Sequence, residues 1–212
     1  MTFVDMLYEE LNAKLIRAAA NGNINKVKGL LKKGADANAK TRDKRTALLM
    51  AIHGGQLSIV KLLVENGADV NKPGTLKFLV DRGSTFDLRS NEITALFWAV
   101  ERVQPEIVRF LVDHGADVNA KDNDGNTVLI KAVYSNNLDI IKCLVEHGAD
   151  STVKDDNGET AAMHAKRRGY NDVAAYLDSI MQVRNEITSS MRNDKGNDNK
   201  LKPEVSNVLR RK

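Results

Sequence analysis

Cysteine is nearly missing from this chain. Cys143 stands alone among 212 residues, so no internal disulfide can form, and the composition suits a reducing compartment. Prolines number three and aromatics make up 5%, which excludes a proline-rich recognition segment and a core dense in aromatic rings. No run approaches the roughly 18 apolar residues of a membrane span. The N-terminal MTFVDMLYEE places acids where a secretory signal carries a basic stretch followed by an apolar one. The expectation is a cytoplasmic protein with no membrane span; a nuclear chain, or one exported by a route that needs no such signal, would share this composition.

What is present suits helices. The chain is 42% hydrophobic and dominated by Leu, Ala, Lys and Val, enough for one buried domain or a stack of small units. Its formal charge of +4 is uneven. Residues 181–212 hold eight Lys/Arg against four Asp/Glu, which leaves 24 of each sign for residues 1–180. The body is neutral and the tail carries the excess.

Comparison of the chain with itself exposes a period. Gly34 and Gly67 are 33 apart, as are Gly115 and Gly148, within GADANAK, GADVNKP, GADVNAK and GADSTVK. Upstream of them lie KVKGLLKK, IVKLLVEN, IVRFLVDH and IIKCLVEH. A second series shares the period: Thr46 opens TALLMAI, Thr94 TALFWAV, Thr127 TVLIKAV and Thr160 TAAMHAK. Fixed self-similarity of this length is the mark of a repeat architecture. In IVKLLVENG, Ile59, Val60, Leu62 and Leu63 give a broad apolar helix face, and Gly67 falls where a left-handed residue ends a helix. Lys33, Asn66, His114 and His147 precede these glycines, where polar or cationic groups suit the negative end of the helix dipole. The Thr-led helix is shorter and Ala-rich. Asp124-Gly125 and Asn157-Gly158 are turn formers at the tips between units.

From Leu11 to Val183 the chain resembles the ankyrin repeat family: 33 residues, a Thr-led first helix, a second helix of the I-V-x-x-L-L type, then G-A-D-V-N. It departs from that family where T-P-L-H becomes T-A-L-L, T-A-L-F, T-V-L-I and T-A-A-M, without the proline and the histidine. The resemblance implies an all-α solenoid of stacked helix-turn-helix units with short β-hairpin-like loops, and a concave face made of hairpin tips and first helices.

The expected organisation is an ankyrin repeat domain over 1–188 and a disordered basic tail over 189–212. Within the domain an N-terminal cap covers 3–40, repeats cover 41–71, 89–121 and 122–154, and a C-terminal cap covers 155–188. Thr2 and Asp5 form a candidate capping box. The stripe Val173, Leu177, Ile180, Met181, Arg184 and Ile187 predicts a long last helix over 171–188. End units of a solenoid need one such modified face towards water.

Residues 72–88 interrupt the period. Gly67 and Gly115 are 48 apart, and GTLKFLVDRGSTFDL copies a second helix with no first helix before it. Two arrangements compete. In one, the flanking repeats stack directly and 72–92 leaves as a loop with a short helix near Leu76 to Arg82. In the other, that helix keeps its place in the outer layer and the stack breaks beneath it. Direct stacking buries more apolar area and is favoured. Leu76, Phe78 and Leu79 are then placed to cover Phe97 and Trp98. The plainer account of the segment is a repeat that lost half its length; the other is a recognition loop.

Recognisable catalytic and metal-binding motifs are missing. Cys143 and His147 have metal-ligand spacing, but no further thiol or imidazole completes a tetrahedral zinc site. KDNDGN and KDDNGE resemble calcium loops until glycine is set at position six, which puts Ala120 or Val153 where a carboxylate is required. Nucleophile elbows and phosphate-cradling loops are missing, and Ser135 and His53 lie at different helix ends. No enzyme, cofactor or metal is expected. Lys166, Arg167 and Arg168 form either an acidic-partner patch or a solvated helix end. Arg210, Arg211 and Lys212, without interleaved aromatics, make too weak a footprint to expect nucleic acid.

The expected function is a monomeric, non-enzymatic scaffold or adaptor that binds another protein. The alternative is a targeting module of a larger enzyme or secreted effector. The family resemblance implies contacts just before each Thr and at the end of each first helix: Arg42, Asp43, Arg45 and His53; Ser90, Asn91, Ile93, Trp98, Glu101 and Arg102; Asn123, Asp124, Asn126, Tyr134 and Ser135; Asp156, Glu159, Arg167 and Arg168. Trp98, Arg102 and Tyr134 are the expected anchors, since aromatics and Arg carry much interface energy. The competing role for Trp98 is packing beneath the 72–92 segment.

Overall fold

The computed structural model describes residues 3–74, 93–122 and 124–193. Thr2 of the candidate capping box, the short helix expected near Leu76 to Arg82 with its cover over Phe97 and Trp98, and most of the expected tail lie outside these residues. Ten helices occupy the described residues. They fall in two compact units, Met1–Ala116 and Asp117–Lys212.

In the first unit α1 (Phe3–Ala20) and α2 (Ile24–Lys32) precede two helix pairs, α3 (Ala47–His53) with α4 (Leu57–Glu65) and α5 (Ala95–Glu101) with α6 (Pro105–Asp113). The second unit holds α7 (Val128–Tyr134) with α8 (Leu138–Glu146) and α9 (Ala161–Arg167) with α10 (Asn171–Asn193). The last helix runs past the expected Thr188 to Asn193, so the first residues assigned to the tail are helical.

Each first helix starts at its threonine for one reason. The hydroxyls of Thr46, Thr94, Thr127 and Thr160 accept from the amides of Leu49, Phe97, Ile130 and Met163, each satisfying an amide that the helix start leaves open. Such a cap is worth about 1 kcal/mol. Helices α2, α4, α6 and α8 each end two residues before a glycine, and Gly34, Gly67, Gly115 and Gly148 have φ of 87°, 84°, 82° and 91°. Only glycine enters that region without a Cβ penalty.

Packing follows the apolar faces. Leu15, Leu49, Ile52, Ile59, Leu63, Leu96 and Leu111 are fully buried in the first unit, and Leu129, Ile130 and Ile140 in the second. Asparagines tie successive loops. The Asn38 amide donates to the Gly67 carbonyl at 2.7 Å while its oxygen accepts from the Asp69 amide at 2.7 Å. Asn119 does the same in the second unit, to the Gly148 carbonyl at 3.2 Å and from the Asp150 amide at 2.8 Å. At the C-terminal end the Arg184 guanidinium pairs with Asp150 at 2.7 Å, holding α10 to the loop before it.

The repeats flanking the interruption stack directly on one another, as the first of the two arrangements requires. Helix α3 packs on α5 and α4 on α6, with no helix between them among the described residues. Gly74 and Ile93 close the base as an antiparallel pair, the Gly74 amide donating to Ile93 at 3.0 Å and the Ile93 amide to Gly74 at 2.8 Å. A side chain at Gly74 has no room: its Cβ would stand 2.5 Å from Leu49 Cδ1 and 2.8 Å from the Lys44 carbonyl oxygen. The Gln104 side-chain amide adds a tie, donating to the Ile52 carbonyl at 2.9 Å.

Candidate functional site

The candidate face in each unit is built by the loop before a threonine and the end of the first helix. In the first unit Arg42 and Asp43 are exposed on the loop before α3. Arg45, half-buried, pairs with Asp43. His53 ends α3 and stacks on Trp98 of α5 with ring centroids 5.9 Å apart. Burial, with the nearby Arg102 guanidinium, holds the His53 pKa below its ordinary value and the imidazole neutral. Glu101 is half-buried and Arg102 exposed at the end of α5.

Three expected contact residues face inward instead. Trp98 and Ile93 are each 3% exposed, and Asn126 is 7% exposed. Trp98 therefore fills the core rather than offering its ring, and its indole Nε1 is buried with no hydrogen-bond partner. Ile93 belongs to the pair that closes the interruption. The Asn126 amide is held by both oxygens of Asp122 at 3.1 Å. Ser90, Asn91 and Asn123 lie outside the described residues.

In the second unit Tyr134 and the basic end of α9 meet. The Arg168 guanidinium lies 4.0 Å from the Tyr134 ring centroid, and Lys131 Nζ lies 5.6 Å from it. Cations over an aromatic face are attracted by its quadrupole. Arg167 pairs with Glu159 at 2.9 Å. Asp124 and Asp156 are exposed on successive tips, joined by the Asp156 amide donating to the Asp124 carbonyl at 3.3 Å. The Ser135 hydroxyl donates to the Ala132 carbonyl at 2.7 Å, within its own helix end.

Beneath this surface lies a buried network that the sequence reading missed. His164 Nε2 stands 2.8 Å from Asp155 Oδ2, and both residues are buried. Arg167 reaches His164 Nδ1 at 3.0 Å and Tyr134 Oη stands 3.3 Å from the same nitrogen. A guanidinium can only donate, so Nδ1 accepts and the proton sits on Nε2, facing Asp155. The other Asp155 oxygen accepts from the amides of Asn157 at 3.0 Å and Glu159 at 2.9 Å, which shapes the loop. Asp122 and Lys131, one period earlier, make the same connection at 3.2 Å. That pairing of Asp with a cationic or imidazole residue nine positions on was the available signal.

Asp155, Glu159 and His164 also bring three ligand-type atoms within 4.8 Å of one another. The Arg167 guanidinium bonds both Glu159 and His164 there, and a fixed positive charge opposes a metal cation. In the Cys143–His147 pair the His147 Nδ1 donates to the Cys143 carbonyl at 2.7 Å, and Sγ is 3.9 Å away. Among the described residues no helix is long and apolar enough to cross a membrane.

Four Thr-capped helix pairs following α1 and α2, with loops tied by asparagines, define a helical repeat protein. A family model for ankyrin repeats matches the chain in three copies, at residues 15–122, 70–155 and 115–187, and the chain belongs to the ankyrin repeat family. No curated protein matches it. Ankyrin repeats are generally protein–protein interaction modules and typically lack catalytic activity of their own.

Proposed function

We propose that this protein is a non-enzymatic scaffold or adaptor, and that it binds another protein through the loops before its threonines and the ends of its first helices. The observation that carries this reading is the pairing of Tyr134 with Arg168 at 4.0 Å. Tyr134 is 36% exposed, and an aromatic ring pre-ordered by a guanidinium offers contact area at little entropic cost. Asp124, Asp156, Glu159 and Arg167 supply polar contacts beside that ring in the second unit, and the first unit offers Arg42, Asp43 and Arg102 on its own loop and helix end. Trp98 supports the face from below. The protein acts as a monomer in the cytoplasm, which sedimentation and cell fractionation check.

The test is affinity capture from nuclease-treated lysate, read by mass spectrometry, with the full chain, Tyr134→Ala/Arg168→Ala and Arg102→Glu. A partner held by the full chain and lost by these variants, at unchanged melting temperature, supports the reading. A partner held equally by all three sinks it.

A further inference from the structure

The first unit contains a cavity of about 530 Å³ between α1 and the loop before α3, within the size range of sites that enclose small ligands or a few side chains. Its floor is apolar. Ile16 and Met50 line it and are 6% and 7% exposed. Its rim is cationic, carrying Arg17, Lys40 and Arg42. Arg17 and Arg42 form no ion pair among the described residues. Asp43, also at the rim, is engaged by Arg45, which leaves Glu9 as the one other carboxylate lining the cavity.

We infer that this cavity receives an acidic peptide segment of the partner protein, a carboxylate meeting Arg17 and Arg42 while a neighbouring aliphatic side chain covers Ile16 and Met50. A guanidinium presents a planar fork of donors that matches a carboxylate, and two such forks stand over one apolar floor. Inorganic phosphate satisfies the guanidinium groups but leaves the floor facing water. A carboxylate next to Leu, Ile or Met satisfies both. Arg42 and Asp43 belong to the face assigned above to protein binding, so the inference rests on that reading and supplies the chemistry of the partner.

The experiment probes a positional-scanning peptide library with the full chain. Selection of Asp or Glu adjacent to Leu, Ile or Met is expected. Arg17→Glu/Arg42→Glu weakens the selected peptide about tenfold or more, equivalent to roughly 1.4 kcal/mol, with melting temperature unchanged; Arg17→Lys/Arg42→Lys, which keeps the charges but loses the planar forks, weakens it less than the charge reversal. If the charge reversal lowers the melting temperature, Arg17→Gln/Arg42→Gln carries the same test. Peptides selected without regard to acidity overturn the inference. So does an occupant displaced by inorganic phosphate with no peptide preference, which assigns the cavity to a small anion. Binding that survives Arg17→Glu/Arg42→Glu but is lost in Tyr134→Ala/Arg168→Ala removes this site and leaves the protein-binding reading standing.

Discussion

The Asn71 side-chain amide donates to the Gly115 carbonyl at 2.9 Å, across 44 residues of chain. The equivalent bonds from Asn38 and Asn119 span 29 residues each. The tie between neighbouring loops is thus the same where the period is kept and where it is broken. Spatial register survives an interruption of sequence register because the helices on either side meet directly. Asn71→Ala should cost about 1–2 kcal/mol, by leaving the carbonyl and its neighbours without this donor. Urea denaturation measures it, and a loss within error of zero would show that the helix contacts alone hold the register.

Gly74→Val should destabilise by about 1–3 kcal/mol, since the added atoms meet Leu49 and the Lys44 carbonyl. Replacing 75–92 with a short turn between Gly74 and Ile93 should leave the fold intact, because those two residues already pair as the ends of a hairpin do. Circular dichroism and thermal melts of the two proteins check both expectations. A deletion that unfolds the chain would show that the segment itself is needed.

Val103 holds φ of 53° at the turn between α5 and α6, a region that β-branched residues rarely enter. Other turns place Gly55, Asn136 and Gly169 at this position with φ of 67°, 49° and 75°. Val103 is also 43% exposed, so its side chain gains little from packing. Val103→Asn should stabilise by about 1 kcal/mol, seen as a raised melting temperature.

Trp98→Ala should cost about 3–5 kcal/mol, as expected for emptying a large buried site. Loss of partner binding in that variant would follow from unfolding. Trp98→Phe, which removes the unpartnered indole N–H, should be far milder. Chemical denaturation of the two variants separates packing from contact.

Burial alone raises the Asp155 pKa, but the Glu159 amide, the His164 imidazole and the Asn157 amide outweigh it and hold the carboxyl below the usual carboxylate range. A carboxylate depressed in the folded state adds stability above its unfolded pKa of about 3.9, and that stability is lost as the pH falls towards the folded value. Asp155→Asn should therefore lower stability at neutral pH and flatten its fall below about pH 4. A pH series of urea melts reads this slope, and an unchanged acid limb would remove Asp155 as its source.

Much of this was legible because it is local. The threonine caps and the glycines that end the second helices depend on a few adjacent residues, and the period repeats them. The inward turn of Trp98 depends on depth within a repeat, yet its signal was present: four residues after each threonine stand Met50, Trp98, Lys131 and His164. Met50 and His164 are buried as Trp98 is. Seven residues after the threonine stand His53, Glu101, Tyr134 and Arg167, and Tyr134 and Arg167 there are exposed. Grouping Trp98 with that outer row set it one helical turn out of place. The Asp155–His164 network was harder to find, since the segment KDDNGE was weighed only as a calcium loop and the partner of Asp155 lies on the next helix. The cavity beside α1 arises from helix and loop brought together in space, which periodicity does not encode.

The Gly74–Ile93 pairing has an evolutionary corollary. A segment whose two ends are fastened to each other is insulated from the selection that acts on the fold, so 75–92 can drift, lengthen or be exchanged while the repeats on either side stay under constraint. Variation among descendants of this gene should collect between those two residues, and a foreign epitope spliced there should be carried without cost to the scaffold.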